Sequence, residues 1–92
     1  ELFEKIDLLA TPSTACTAPP IPQGAETAGL SDIGTLSELM RYAQLSNLTG
    51  QPAISIPVGA DAIGLPVGLQ LMARPWEEVL LLRCASILES PA

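Results

Sequence analysis

Hydroxyl and amine side chains in this 92-residue chain could carry nucleophilic chemistry. The chain has no histidine, which excludes Ser-His and Cys-His pairs and histidine–metal sites. Serines remain, but a serine hydroxyl needs an activating base within hydrogen-bond reach. Ser13 and Lys5 lie on either side of the first predicted strand and could form such a pair. A turn serine and a solvated lysine explain these two residues better.

Carboxylates and glycines offer no complete site either. Glu77 and Glu78 are adjacent on a predicted helix, so their side chains do not face each other. The segment 64–68 contains two glycines but lacks the lysine and the following helix of a phosphate-binding loop. We therefore expect no catalytic residue, no metal ligands and no cofactor site in this chain.

Composition indicates a chain that packs against something else. The residues are 48% hydrophobic and 15% charged, which is apolar for a small domain with a large surface to cover. The chain also begins without methionine and in an apparent helix, so we expect a fragment of a larger protein. The alternative is an independent binding or structural module, which would be monomeric and fold cooperatively, whereas a fragment would expose apolar surface.

Charge, cysteines and apolar runs limit the partners and the compartment. The net charge is −6 and the four basic residues are scattered, which argues against nucleic acid as a partner. Cys16 and Cys84 are far apart, and two idle thiols are favoured over one long-range disulfide. The apolar runs are too short to span a bilayer and the N-terminus does not resemble a signal peptide, so we expect an intracellular location.

Turn residues and apolar periodicity predict the elements that would position any site. Thr35 with Glu38 predicts a helix start, Gly50 a helix end, and Pro75 the first position of a last helix. Pro57 limits strand pairing on one side. In chain order, the predicted elements are a strand at 6–10, a loop at 13–34, a helix at 35–49, strands at 53–58 and 67–72, and a helix at 75–89. The order predicts an α/β fold at one edge of a mixed sheet flanked by helices.

Three blocks carry a family resemblance. Residues 47–59 (NLTGQPAISIPVG) and 64–72 (GLPVGLQLM) resemble the C-terminal block of the amidase signature family, in content and spacing. Residues 6–13 (IDLLATPS) resemble the family's strand that ends in a Thr-Pro turn. Around them, residues 39–42 and 74–76 are most similar to plant-type fatty acid amide hydrolases and related amidases.

The resemblance implies that residues 1–92 are the C-terminal fragment of an amidase domain. Such enzymes cleave carbon–nitrogen amide bonds through a Ser–cis-Ser–Lys triad. Nothing in this chain matches the region that holds the triad, so we expect the chain alone to be inactive. The implied substrate is a small amide, apolar or fatty acyl, and the implied partner is the remainder of the domain. Homodimerisation and membrane association are left open.

The resemblance also implies substrate-binding residues. In similar enzymes the helix matching residues 35–49 borders the substrate channel, which implicates Met40, with Gln44 and Trp76 as secondary candidates. In related proteins that supply ammonia from glutamine to misacylated tRNA, an acidic residue is expected where Met40 stands. Methionine instead suits an apolar pocket. Packing alone is an equally good explanation of Met40 and Trp76.

Overall fold

The computed structural model describes residues 2–20 and 33–89. A 3-10 helix, Leu2–Glu4, precedes three strands and three helices. The strands are β1 (Leu8–Pro12), β2 (Ala53–Ala60) and β3 (Pro66–Ala73). The helices are α1 (Ile33–Met40), α2 (Gln44–Thr49) and α3 (Glu78–Leu88). The prediction of an α/β fold is confirmed.

The strands form one sheet in the order β1-β3-β2, and each neighbouring pair is antiparallel. β2 and β3, predicted as strands at 53–58 and 67–72, form a hairpin. Their register shifts between Pro57 and Gly59, where a proline without a backbone N–H interrupts the regular ladder. The mixed sheet stays a prediction for the larger fold of which these three strands would be one edge.

The core lies between one face of the sheet and α3. Leu71 and Ala73 of β3 pack with Leu81 of α3, and all three are buried. Partly buried apolar side chains complete this cluster: Leu8, Ile54, Leu69 and Cys84. Alternate residues of β3 point to the same face, which explains why 69, 71 and 73 share it.

β1 lies two residues further along the chain than predicted. Arg74 donates hydrogen bonds to the backbone carbonyls of Phe3 at 2.9 Å and Ile6 at 2.8 Å, and these contacts hold the segment before Leu8 at the end of β3. β1 ends at Pro12, and the backbone N–H of Ser13 donates to the carbonyl of Gly68 in β3 at 3.0 Å. Along an antiparallel strand, the backbone N–H groups that donate to one neighbouring strand alternate with those that point away from it. Pro12, which has no backbone N–H, lies at a position where an N–H would point away from β3.

The prediction of one helix over 35–49 is wrong. Helix α1 begins at Ile33, so Thr35 is not its N-cap, and it ends at Met40. The backbone N–H of Ala43 donates to the carbonyl of Met40 at 3.1 Å, a tighter turn than an α-helix makes. Helix α2 ends at Thr49, and Gly50 follows it with a left-handed φ of 72°, which confirms the predicted helix end.

The last helix begins at Glu78, three residues later than predicted. Pro75 is not in its first turn, because Trp76 adopts φ 69° and the backbone N–H of Glu77 closes a turn onto the carbonyl of Arg74. A left-handed residue cannot continue a right-handed helix. The helical segment therefore starts only after this turn.

Of the predicted loop at 13–34, residues 21–32 lie outside the described part of the chain. Residues 13–20 contain no helix or strand, and the backbone N–H of Ala15 donates to the carbonyl of Glu38 at 3.0 Å. Cys16 and Cys84 are both free thiols. Within 2–20 and 33–89, the helices are too short or too polar to cross a membrane.

Candidate functional site

Two of the three predicted substrate-binding residues lie on either side of one bend. Met40 is the last residue of α1 and Gln44 is the first residue of α2, with only residues 41–43 between them. The Met40 residue is 47% exposed and Gln44 is also exposed, so both side chains are accessible within the described part of the chain. The bend is therefore flanked by one exposed apolar and one exposed polar side chain.

Trp76 lies elsewhere, in the turn between β3 and α3. It is 90% exposed and lines a concavity of about 320 Å³ together with Gly50, Pro52, Pro75 and Glu78. Neither Met40 nor Gln44 lines this concavity. Trp76 has a positive φ, which is uncommon and strained for a bulky residue. This conformation directs the indole away from the core.

A row of polar residues crosses the sheet on the face opposite α3. Gln70 of β3 lies between Thr11 of β1 and Ser55 of β2 in the strand register. Its side-chain N–H₂ group donates to the Thr11 hydroxyl at 3.2 Å and to the backbone carbonyl of Tyr42 at 2.8 Å. Sequence reasoning missed this residue, although a polar side chain inside an apolar strand signals a buried hydrogen-bond partner.

The hydroxyl of Ser55, at one end of this row, contacts the hydroxyl of Ser13. The Ser13 and Ser55 Oγ atoms are 2.5 Å apart, and both residues line a concavity of about 290 Å³ with Gly68. Within the described residues, the hydroxyl of Ser13 thus has another hydroxyl as its hydrogen-bond partner. A hydroxyl can donate and accept hydrogen bonds, but it is not a strong base that could activate a serine. Among residues 2–20 and 33–89, no group of three His, Cys, Asp or Glu residues could hold a metal ion.

Gly68 of β3 allows this close approach. A Cβ atom there would lie 2.7 Å from Ser13 Oγ and 2.9 Å from Ser13 Cβ. We expect Gly68→Ala to lower the free energy of unfolding of the chain by about 1–3 kcal/mol, the usual cost of overpacking. Urea unfolding of the full-length polypeptide, followed by circular dichroism, measures it.

Gly59→Ala is the matched control for this prediction, because a Cβ at Gly59 meets nothing within 4 Å. Combining Gly68→Ala with Ser13→Gly should recover most of the loss, since it removes both clashing atoms. Equal destabilisation by the two alanine variants would contradict the close-approach explanation.

Asp61 joins the hairpin loop to the segment after β1. Its Oδ1 atom accepts hydrogen bonds from the backbone N–H groups of Ile63 at 3.0 Å and Leu65 at 2.9 Å. Its Oδ2 atom accepts the Thr17 hydroxyl at 2.7 Å. The Thr17 hydroxyl first, and then the Leu65 and Ile63 N–H groups, lower the pKa of the Asp61 carboxyl, since each stabilises the carboxylate.

The contact between Thr17 and Asp61 should therefore depend on pH. Because the folded pKa of Asp61 is lowered, its stabilisation is complete above its ordinary value of about 3.9 and is lost as pH falls through the folded pKa. The hydrogen-exchange rates of residues 14–18, corrected for the pH dependence of intrinsic exchange, should therefore rise as the pH falls through the folded pKa of Asp61. Asp61→Asn cannot titrate, so its protection should not change over the same range; equal pH dependence in both proteins would contradict this prediction.

Comparison with known proteins places this geometry in a family. The model of the family described as Amidase matches residues 1–82. The chain is 49% identical over 89 residues to a fatty acid amide hydrolase of Medicago truncatula, covering 97% of this chain and 15% of that protein. It is 42% identical over 93 residues to the A-type subunit of the glutamyl-tRNA(Gln) amidotransferase of Cereibacter sphaeroides, covering 97% and 17%.

A solved structure agrees with these relatives. The structure of 6-aminohexanoate cyclic dimer hydrolase matches with a TM-score of 0.71 and 32% sequence identity, over 89% of this chain and 18% of that one. The described residues thus have the fold of a segment of that hydrolase, and the chain spans less than a fifth of each relative named here. By sequence and by fold, the chain belongs to the Amidase family.

Proposed function

We propose that the chain is the C-terminal portion of an amidase that hydrolyses carbon–nitrogen bonds of apolar or fatty acyl amides. The similarity to a fatty acid amide hydrolase over 97% of the chain supports this substrate class. The chain spans 15% of that relative, so the rest of the domain would supply the Ser–cis-Ser–Lys triad. In that scheme the serine attacks the amide carbonyl, and the lysine, through the bridging serine, takes its proton and delivers it to the leaving amine.

The contribution proposed for this chain is a wall of the substrate pocket. The observation that carries it is Met40, an apolar side chain that ends α1 and stays about half exposed at the bend. A flexible thioether adapts to acyl chains of varied shape and offers them apolar contact. Gln44 lies across the bend as a polar partner for the amide end, and Trp76 offers a second apolar surface.

An amidotransferase A-type subunit is the second candidate, supported by the 42% identity to such a protein. A protein with this role must bind the polar, charged end of glutamine. Met40 disfavours that role, because a thioether cannot neutralise a buried ammonium group. A carboxylate at this position would instead favour the amidotransferase candidate.

Hydrolysis by the full-length polypeptide tests the proposal. Its substrates would be a series of acyl amides of rising chain length, a short aryl amide and glutamine. We expect kcat/KM to rise with chain length by up to about fourfold per buried CH₂, because each contributes about 0.8 kcal/mol. Hydrolysis of glutamine alone would favour the amidotransferase candidate, and hydrolysis of none of them would refute the proposed activity.

A further inference from the structure

We infer that Gln70 is a positioning residue for the proposed pocket: its side-chain amide holds the bend between α1 and α2 and so sets where Met40 and Gln44 lie. The inference depends on the proposed function of that bend. It adds a residue outside the bend, on β3, which controls the selectivity for acyl chains without contacting the substrate.

Each donor and acceptor in the hydrogen bonds around Gln70 can be assigned without conflict. The Thr11 hydroxyl donates its hydrogen to the backbone carbonyl of Pro12 at 3.0 Å, which leaves its oxygen free to accept from Gln70. The two N–H bonds of the Gln70 amide then have two acceptors, the Thr11 oxygen and the Tyr42 carbonyl. The strand side of this network thus orients the amide that holds the bend.

The Tyr42 carbonyl is the point where the helical path breaks. In an uninterrupted helix it would accept the backbone N–H of Ser46, four residues on. In the structure it accepts the amide of Gln70 at 2.8 Å, and α2 begins only at Gln44. The apolar spacing of this segment alone predicts a continuous helix, so a contact from the sheet is a sufficient reason for the interruption.

The anchor is more rigid than the segment it holds. Gln70 lies in the central strand, paired on both sides, and is only partly accessible. The α1–α2 segment lacks buried residues of its own within its described part. A single hydrogen bond from a rigid strand can therefore decide the position of a bend that few other contacts hold.

Gln70→Glu tests this inference, because it keeps the side-chain length but replaces the NH₂ group, and with it both N–H donors, by an oxygen that repels the Tyr42 carbonyl. Thr11→Val is the matched control, since it removes the strand-side acceptor and leaves the bond to Tyr42 intact. In the full-length polypeptide, we expect Gln70→Glu to raise KM for a long-chain acyl amide about fivefold, the equivalent of one hydrogen bond of about 1 kcal/mol. The kcat for a short aryl amide should not change.

Hydrogen exchange of residues 41–47 is the second readout. Gln70→Glu should speed exchange there without speeding it in β2, and Thr11→Val should have a smaller effect on both exchange and KM. Unchanged exchange at 41–47 would overturn the role of Gln70 at the bend.

Comparison with Met40→Asp separates this inference from the proposed function. If Gln70→Glu speeds exchange but leaves chain-length selectivity unchanged, while Met40→Asp alters selectivity, the inference fails and the proposed function stands. If neither variant alters selectivity, the proposed pocket itself is refuted, and the inference with it.

Discussion

Met40→Asp in the full-length polypeptide is expected to lower kcat/KM for long-chain acyl amides about tenfold to a hundredfold, because a carboxylate would have to be desolvated against the acyl chain. The effect on a short aryl amide should be much smaller. The residue is 47% exposed in the described part of the chain, so the substitution should change the free energy of unfolding little. Steady-state kinetics across the substrate series measures the effect.

Met40→Leu is the control, since it keeps the volume and apolar character of the side chain and should keep most activity. A Met40→Asp enzyme with unchanged kinetics on every amide would show that Met40 only packs. A gain of glutamine hydrolysis in that variant would indicate how close the site is to that of an amidotransferase.

Leu81→Ala is expected to have the largest effect on the stability of the chain. Leu81 of α3 is 3% exposed and packs against β3. Its truncation should lower the free energy of unfolding by about 2–5 kcal/mol, because burial is lost and a cavity remains. Denaturant unfolding of the full-length polypeptide measures the loss. The variant should also unfold at a lower temperature.

Leu82→Ala makes the same chemical change one residue further on and is the matched control. Leu82 is 61% exposed, so its truncation should change the stability of the chain by less than about 0.5 kcal/mol. Equal losses from the two variants would contradict the packing of α3 on the sheet described above.

Local signals predicted the elements whose causes are local. The hairpin of β2 and β3 follows from two alternating apolar runs joined by a turn segment, and Gly50 ends α2 because glycine adopts the left-handed conformation without strain. In both cases the deciding residues lie within the element or directly beside it.

The errors have causes distant in sequence. The helix predicted over 35–49 is interrupted at residues 41–43, where Gln70, 28 positions away from Tyr42, binds the backbone. The strand start was misplaced because Arg74 holds the backbone near Ile6. Apolar periodicity contains no information on which polar side chain the fold will bring to a given carbonyl, so these contacts required the structure.

The same limit applies to the candidate site. The adjacency of Met40 and Gln44 survives the interruption, because four positions on a helix and a short bend both keep such residues close. The separate place of Trp76 could not be predicted, since it depends on a left-handed backbone at a bulky residue. Substrate contact by any of the three stays a prediction.

Photoaffinity labelling tests the central claim most directly. The full-length polypeptide would be irradiated with a long-chain acyl amide that carries a diazirine in its acyl chain, with and without excess unmodified amide, and the labelled peptides identified by mass spectrometry. We predict label on the peptide that contains Met40 and Gln44, lost under competition and reduced in Met40→Asp. Competable label found only outside residues 1–92 would show that this chain does not line the pocket.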